Sequence, residues 1–194
     1  MSQYSSHTLE KAKDLYETPV YIYNWLDSKF NFKVDLAANA ENRRSLWWFS
    51  LDEHDEGLGN ALTSEWAANF NGGTGYCNPP YSNIKPWIKK AIKEAQTGFT
   101  TVMLIETPNG QSHYKEAFEH ASSVIFINGR VSFIASHDFE KMKRSGEIEY
   151  TKKGEPVTGN TRGSCVFVFQ PHFGDIKLSN VNRDDLIRDF GGKL

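Results

Sequence analysis

Segments typical of helices and of strands alternate along this chain, and that alternation limits its fold more than any other feature of the sequence. Residues 20–30 have the apolar spacing of a helix, and three short extended segments follow at residues 32–36, 46–51 and 75–77. Alternation of this kind favours a layered α/β fold, in which helices cover the faces of a sheet.

The second half of the chain continues the pattern with clearer signals. Residues 86–96 predict an amphipathic helix, with Lys90 and Glu94 on its polar side. Residues 100–105 are apolar or threonine throughout, which is typical of a strand buried on both faces. We also predict a helix at residues 112–120 and strands at residues 123–127, 131–134 and 164–169, the last of which closes the sheet.

Composition and charge narrow the class of protein. With 39% hydrophobic and 24% charged residues, the chain is expected to form one globular domain over residues 1–194. Its net charge of −2 argues against a protein that coats nucleic acid nonspecifically, but it allows one local basic face. The six histidines show no metal-ligand spacing, so we expect no metal site, and the two cysteines are expected to be buried thiols.

Targeting signals are not visible in the sequence. The longest apolar run, residues 165–169, is far shorter than a membrane span, and the N-terminus lacks the apolar stretch of a secretion signal. We therefore expect a cytoplasmic protein.

One long stretch, residues 135–163, is not explained by the pattern of core residues. It is polar and contains glycine, and from position 141 onward it holds six basic and three acidic side chains. Such an insert between two strands is a natural place for phosphate contacts and for reading of a nucleic-acid sequence, although a solvated loop has the same composition. The candidate DNA-binding residues in it are Lys141, Lys143, Arg144, Lys152, Lys153 and Arg162.

The segment Asn78-Pro79-Pro80-Tyr81 follows a predicted strand and precedes a predicted helix. Each proline fixes its own φ at about −65° and pushes the residue before it into an extended conformation, so the turn is stiff. The side-chain oxygen of Asn78 and the carbonyl of Pro79 can then face the same small volume as two hydrogen-bond acceptors. Tyr81 adds a flat aromatic face beside them.

This arrangement suits a planar group that carries an exocyclic NH₂. Two acceptors placed toward a tetrahedral geometry would localise the nitrogen lone pair for attack on an electrophilic methyl group. No strong base is needed for that step. A proline-rich turn that only starts a helix would have the same four residues.

Further landmarks occur in a fixed order along the chain. They are Glu17-Thr18-Pro19, Val34-Asp35-Leu36-Ala37-Ala38, Asn42, Asn60-Ala61-Leu62, Trp66, Asn78-Pro79-Pro80-Tyr81-Ser82, Gly129-Arg130, Phe133 and Ser164. In this order they resemble the phage-type (Dam-like) DNA N-6-adenine methyltransferases, which use S-adenosylmethionine. The resemblance implies a Rossmann-like methyltransferase fold, a mostly parallel mixed sheet with helices on both faces, and a cofactor at the carboxyl ends of the strands.

The resemblance also implies which residues bind the cofactor. It puts the methionine part beside Asp35, where Ala37 and Ala38 replace the glycine-rich loop of other methyltransferases, although a polar strand end before a helix could also carry this aspartate. Asp52 is a candidate for the ribose, although its acidic neighbours also fit a solvated loop. Trp66 is expected to belong to the core. The full expected set is Thr18, Pro19, Asp35, Ala37, Ala38, Asp52, Asn60, Leu62 and Asn78.

The sequence therefore predicts a site-specific enzyme that methylates N6 of a flipped-out adenine in double-stranded DNA. By the resemblance, Ser82 and Arg130 join the DNA-binding residues, and the recognised site is GATC or a related short sequence. Two other hypotheses remain open. One is a methyltransferase that acts on RNA or on a protein glutamine, and the other is a catalytically silent DNA-binding relative.

Overall fold

The computed structural model shows a seven-stranded sheet with helices on both faces and a separate two-stranded hairpin. It describes residues 16–52, 55–108, 110–142, 148–158, 160–171 and 174–191, with positions 141 and 142 described in their backbone only. The helices are α1 (Val20–Phe30), α2 (Trp66–Phe70), α3 (Lys85–Gln96), α4 (Ser112–His120) and α5 (Arg183–Phe190). The strands are β1 (Val34–Asp35), β2 (Trp47–Trp48), β3 (Thr74–Cys77), β4 (Thr100–Glu106), β5 (Ser123–Asn128), β6 (Phe139–Met142), β7 (Ile148–Thr151), β8 (Ser164–Phe169) and β9 (Lys177–Asn182).

The sheet has the strand order β2-β1-β3-β4-β8-β5-β9. Strands β1 to β4 are parallel to one another, and β5 and β9 are parallel to each other. Only β8 is antiparallel to its neighbours, β4 and β5. The predicted mostly parallel mixed sheet is confirmed, and the carboxyl ends of β1, β3 and β4 meet at one edge.

Two apolar layers cover the central strands. On one face, Met103 of β4 and Phe167 of β8 belong to a buried cluster that includes Trp87 of α3. On the other face, Leu104 and Val166 belong to a second cluster, which α1 and α5 complete. Burial on both faces explains why residues 102–105 of β4 and 165–169 of β8 are all apolar. Within the described residues, no helix combines the length and the apolarity needed to cross a lipid bilayer.

Two strand predictions are wrong. Residues 131–134 form no strand, because Ile134 makes only isolated antiparallel bridges with Glu17 and Pro156 while Val131 and Phe133 point into the core. The strand at residues 164–169 exists but does not close the sheet, since it lies between β4 and β5. The edge strand β9 escaped prediction because its residues are mostly exposed and polar.

The prediction that Lys90 and Glu94 lie on the polar side of α3 is also wrong, because both side chains are buried. Lys90 and Glu94 are 7% and 3% exposed, and their Nζ and Oε1 atoms are 2.6 Å apart. The other carboxylate oxygen of Glu94 accepts a hydrogen bond from the backbone N–H of Ala67 at 2.9 Å, and Lys90 lies over the ring of Trp66. The short helix α2, which has no clear sequence signal, therefore covers a charged part of α3.

Loss of the Glu94 carboxylate should destabilise the protein far more than loss of an exposed carboxylate at the same helical spacing. In Glu94→Ala the Lys90 ammonium remains buried without its partner, which typically costs about 3–5 kcal/mol. Glu119 is the matched control, because it pairs with Lys115 at 3.8 Å on an exposed part of α4. We expect Glu119→Ala to cost about 0.5 kcal/mol or less. Denaturant unfolding measures both changes, and equal losses would contradict a special role for the buried pair.

Candidate functional site

The site lies at the edge where β1, β3 and β4 end. The register of the parallel strands puts Asp35 beside Tyr76 and Cys77 beside Met103. The chain that leaves β3 therefore emerges between the ends of its two neighbours. The structure thus brings the Asp35 region and the Asn78 turn to the same edge of the sheet.

The Asn78 turn has the stiff course expected from its prolines. Pro80 is extended, with φ −54° and ψ 119°, and the chain then enters a short 3₁₀ turn, Tyr81–Asn83, that leads into α3. Pro79 is buried and Asn78 is half-buried. The turn therefore holds Asn78 at the surface of the edge while its neighbours anchor it in the core.

The side chain of Asn78 contacts the beginning of the described chain. Its Nδ2 donates a hydrogen bond to the carbonyl of Tyr16 at 3.5 Å. No residue in the described part of the chain donates a hydrogen bond to its Oδ1. Among the described residues, nothing therefore competes with a ligand for that oxygen.

Tyr81 is held at its hydroxyl end and on its ring. The hydroxyl donates a hydrogen bond to the carbonyl of Leu104 at 3.4 Å, and the ring packs edge-to-face on Phe133 with centroids 6.0 Å apart. Burial raises the pKa of Tyr81 well above its ordinary value, so the hydroxyl stays neutral. A small cleft is lined by Tyr81, Ile84, Glu106, Gln111, His113, Tyr114 and Arg162.

Asp35 is a buried carboxylate at the end of β1, 3% exposed. Its Oδ2 accepts a hydrogen bond from the backbone N–H of Arg44 at 3.1 Å, and its Oδ1 accepts one from that of Ala37 at 3.4 Å. Burial raises its pKa to about 6, against the lowering effect of these two N–H groups and of the Arg44 charge. The chain between β1 and β2 forms no helix, so the helix-cap alternative for Asp35 is wrong; its carboxylate holds a loop instead.

The residues 16–18, which we call the N-terminal strap, cross the same edge. The hydroxyls of Thr18 and Tyr76 share a hydrogen bond of 2.6 Å, and Pro19 is buried at the start of α1. Arg44 donates from Nη2 to the Thr18 carbonyl at 2.8 Å and to the Glu17 carboxylate at 3.2 Å. Arg44 was not predicted, because a single arginine in a loop follows no periodic pattern.

The remaining cofactor candidates lie around the end of β2. Asn60 is joined to Ser50 by a parallel bridge, and its Oδ1 accepts the backbone N–H of Leu62 at 2.9 Å. Asp52 is exposed, and Leu62 is half-buried. Trp66 is fully buried, with its ring N–H bonded to the Ala61 carbonyl at 2.8 Å, which confirms it as a core residue.

The predicted DNA-binding residues are mostly exposed, and two of them form ion pairs within the protein. Lys153 pairs with Glu41 at 3.3 Å, and Arg162 pairs with Glu106 at the cleft beside Tyr81. The other exposed members of the set are Ser82, Arg130 and Lys152. Lys143 and Arg144 lie outside the described residues, as does the side chain of Lys141.

The insert at residues 135–163 contains the antiparallel hairpin of β6 and β7, in which Phe139 pairs with Thr151. Its Phe139 ring stacks on Tyr16 with centroids 5.7 Å apart and an interplanar angle of 30°. The backbone of Glu17 exchanges hydrogen bonds with that of Ile134, at 2.8 and 2.9 Å. The insert therefore packs on the N-terminal strap, close to Asn78.

The groups around Asp35 fit the cofactor that the resemblance implies. A buried carboxylate suits a ligand with an ammonium and a sulfonium group, and the small side chains of Ala37 and Ala38 leave room near the backbone. The Nε of Arg44 is buried and has no partner among the described atoms, which suits a ligand carboxylate. Among all the residues that the structure describes, no cluster of three His, Cys, Asp or Glu side chains could hold a metal ion.

Comparison with known proteins gives a consistent result. A family model described as DNA N-6-adenine-methyltransferase (Dam) matches residues 5–193. The chain is 26% identical over 168 residues to a DNA N-6-adenine-methyltransferase of Escherichia phage T1, an alignment that covers 85% of this chain and 66% of the phage protein. It is 27% identical over 186 residues to a DNA N-6-adenine-methyltransferase of Haemophilus phage HP1 (strain HP1c1), with 93% and 94% covered.

The affinity for S-adenosylmethionine should depend on the ionisation of Asp35. Above a pH of about 6 the carboxylate is charged and can attract the cationic ligand, whereas below that pH it becomes protonated and the affinity should fall. Asp35→Asn should bind about ten- to a hundredfold more weakly and lose this pH dependence, since a charge-assisted hydrogen bond contributes about 1.5–3 kcal/mol. Calorimetric titration between pH 5 and pH 8, on protein shown to be folded by circular dichroism, measures both effects. The same pH profile in wild type and variant would exclude Asp35 from the cofactor site.

Proposed function

The chain belongs to the DNA N-6-adenine-methyltransferase (Dam) family, and from this premise we propose that it methylates N6 of adenine in double-stranded DNA with S-adenosylmethionine as methyl donor. The observation that carries the proposal is the orientation of Asn78, whose amide nitrogen is bonded to Tyr16 while its oxygen accepts no hydrogen bond from the described residues. An acceptor held in a stiff turn at the carboxyl edge of a sheet is what activation of an aromatic amine requires.

The chemistry needs acceptors and positioning more than a base. The Asn78 oxygen accepts one N–H of the adenine amine and the Pro79 carbonyl accepts the other, which draws the nitrogen lone pair out of conjugation with the ring. Pro80 has no N–H that could compete for these acceptors. The bound cofactor supplies the electrophilic methyl group.

The target base must leave the duplex to reach this turn, because its amine is paired inside the double helix. The Tyr81 ring offers a face for stacking, and its hydroxyl, held by the Leu104 carbonyl, fixes the position of that ring. Tyr81 also lines a small cleft together with the Glu106–Arg162 pair. These features support a pocket for a flipped-out base at Tyr81.

The cofactor is proposed to bind where the strap and the end of β1 meet. Asp35 would hold its cationic part, and the N-terminal strap with Arg44 would face its carboxylate. Thr18 would affect cofactor binding only by positioning the strap, because its hydroxyl is hydrogen-bonded to Tyr76. The further proposed contacts are Pro19, Ala37, Ala38, Asp52, Asn60, Leu62 and Asn78.

The insert at residues 135–163 is proposed to recognise the target sequence within a single methyltransferase domain. Its exposed ion pairs, of which Lys153–Glu41 is one, contribute at most about 1 kcal/mol each, so a DNA phosphate can replace the carboxylate at small cost. The proposed contacts are Ser82, Arg130, Lys152, Lys153 and Arg162, together with the sequence candidates Lys141, Lys143 and Arg144. The proposed place of action is the cytoplasm of a bacterial or phage-infected cell.

Transfer of a labelled methyl group tests the proposal directly. The protein with labelled S-adenosylmethionine should label unmethylated duplex DNA at adenine N6, and Asn78→Ala should abolish transfer while leaving cofactor affinity within about threefold, because it removes an acceptor for the reacting amine. Label in RNA or in a protein glutamine, with none in DNA, would support another substrate class. DNA binding without any transfer would indicate a silent relative. Mapping of methylated adenines in a methylation-free host then gives the recognised sequence.

Tyr81 should contribute through its ring and not through its hydroxyl. Tyr81→Phe removes one long hydrogen bond and should lower the methylation rate only about two- to threefold. Tyr81→Ala removes the stacking surface, which is worth about 1–3 kcal/mol per base, so the rate should fall about ten- to a hundredfold. Single-turnover rates with saturating DNA measure both variants. Equal losses would show that the hydroxyl is the important group.

A further inference from the structure

The side-chain amide of an asparagine can point in either of two orientations, and only one of them presents the oxygen as a hydrogen-bond acceptor. The oxygen and the NH₂ group of its amide are nearly equal in size, but one accepts hydrogen bonds and the other donates them. If Asn78 turned its NH₂ group toward an adenine amine, donors would face donors and the lone pair would not be drawn out of the ring. The proposed function therefore requires something that fixes the Asn78 amide in one orientation.

The Tyr16 carbonyl is placed to do this. It lies 3.5 Å from Asn78 Nδ2, and a carbonyl can accept a hydrogen bond but cannot donate one. The reversed amide would put two oxygens against each other and would lose the bond. Building on the proposed function, we propose that Tyr16 is a positioning residue, whose main-chain carbonyl directs the Asn78 oxygen toward the target amine.

The position of this carbonyl depends on contacts on both sides of the N-terminal strap. On one side, the Tyr16 ring stacks on Phe139 of the insert, and Glu17 forms its two backbone hydrogen bonds with Ile134. On the other side, Thr18 is fixed by Tyr76 of β3. The hairpin that is proposed to read DNA thus helps to hold the group that orients the acceptor.

This arrangement connects target recognition with chemistry through a short path. A movement of the hairpin on DNA would shift Phe139, and the Tyr16 ring stacked on it would transmit the shift to the carbonyl at Asn78. The effect of Tyr16 should therefore appear in the rate of methyl transfer much more than in the affinity for the cofactor, whose cationic part is proposed to bind at Asp35.

A double-mutant cycle separates orientation from ordinary packing. Tyr16→Ala should lower the single-turnover rate about tenfold, the value of one neutral hydrogen bond, with cofactor and DNA affinities within about twofold. Tyr16→Phe keeps the ring and should resemble the wild type, whereas Phe139→Ala should resemble Tyr16→Ala. In an Asn78→Asp background, which has two equivalent oxygens and needs no orientation, Tyr16→Ala should change the rate by less than about twofold. Equal losses in both backgrounds would overturn the proposal.

A second measurement does not depend on activity. In protein with ¹⁵N-labelled asparagine, the Asn78 side-chain amide signals are those missing from Asn78→Asp. They should be protected from hydrogen exchange in the wild type and in Tyr16→Phe, and they should lose that protection in Tyr16→Ala. Unchanged signals in Tyr16→Ala would refute the role of Tyr16 even if the wild type methylates DNA. Protected signals in a protein that methylates no DNA would instead leave the contact intact and refute the proposed function.

Discussion

The placement of β3 between β1 and β4 is the constraint on which the site depends. This strand is four residues long, yet it carries Tyr76, which fixes the N-terminal strap, and it ends where the Asn78 turn begins. Gly75 makes the placement possible, because a Cβ atom there would lie 2.8 Å from Leu36 and 2.9 Å from Phe99. Since both neighbours are buried, any side chain at this position would push β3 away from the sheet, and the acceptor at Asn78 would move relative to Asp35.

The two halves of the proposed site share the same short stretch of chain. Arg44 connects them, because its backbone N–H binds Asp35 and its guanidinium binds Glu17 and Thr18. Burial makes ionisation of Asp35 costly. The two backbone N–H groups that donate hydrogen bonds to its carboxylate offset only part of that cost. The loop after β1 and the strap are therefore joined by polar contacts, which suits a site that must admit two ligands.

The sequence predicted those elements of the structure whose position follows from a single physical rule. Apolar periodicity located α1, α3 and α4, continuous apolarity located β4 and β8, and the two prolines located the stiff turn at Asn78. Contacts between distant polar residues, such as Asn78 with Tyr16 or Arg44 with Thr18, follow no periodicity and could not be predicted. Lys90 and Glu94 were assigned to the solvent side because a pattern of charges does not reveal that another helix covers them. The assignments of Asp52 and Asn60 to the cofactor stay predictions.

The antiparallel position of β8 affects how this protein can fold while it is being synthesised on the ribosome. Strands β4 and β5 are synthesised well before the residues that lie between them in the finished sheet. Until residue 169 has emerged, β4 has one edge with unpaired backbone groups and β5 has two, because its other neighbour, β9, is synthesised later still. Unpaired edges of this kind promote aggregation. The centre of the sheet is filled by a long-range pairing, so folding waits for nearly the whole chain. A nascent chain that stops before β8 presents three unpaired strand edges, one on β4 and two on β5, to any chaperone nearby.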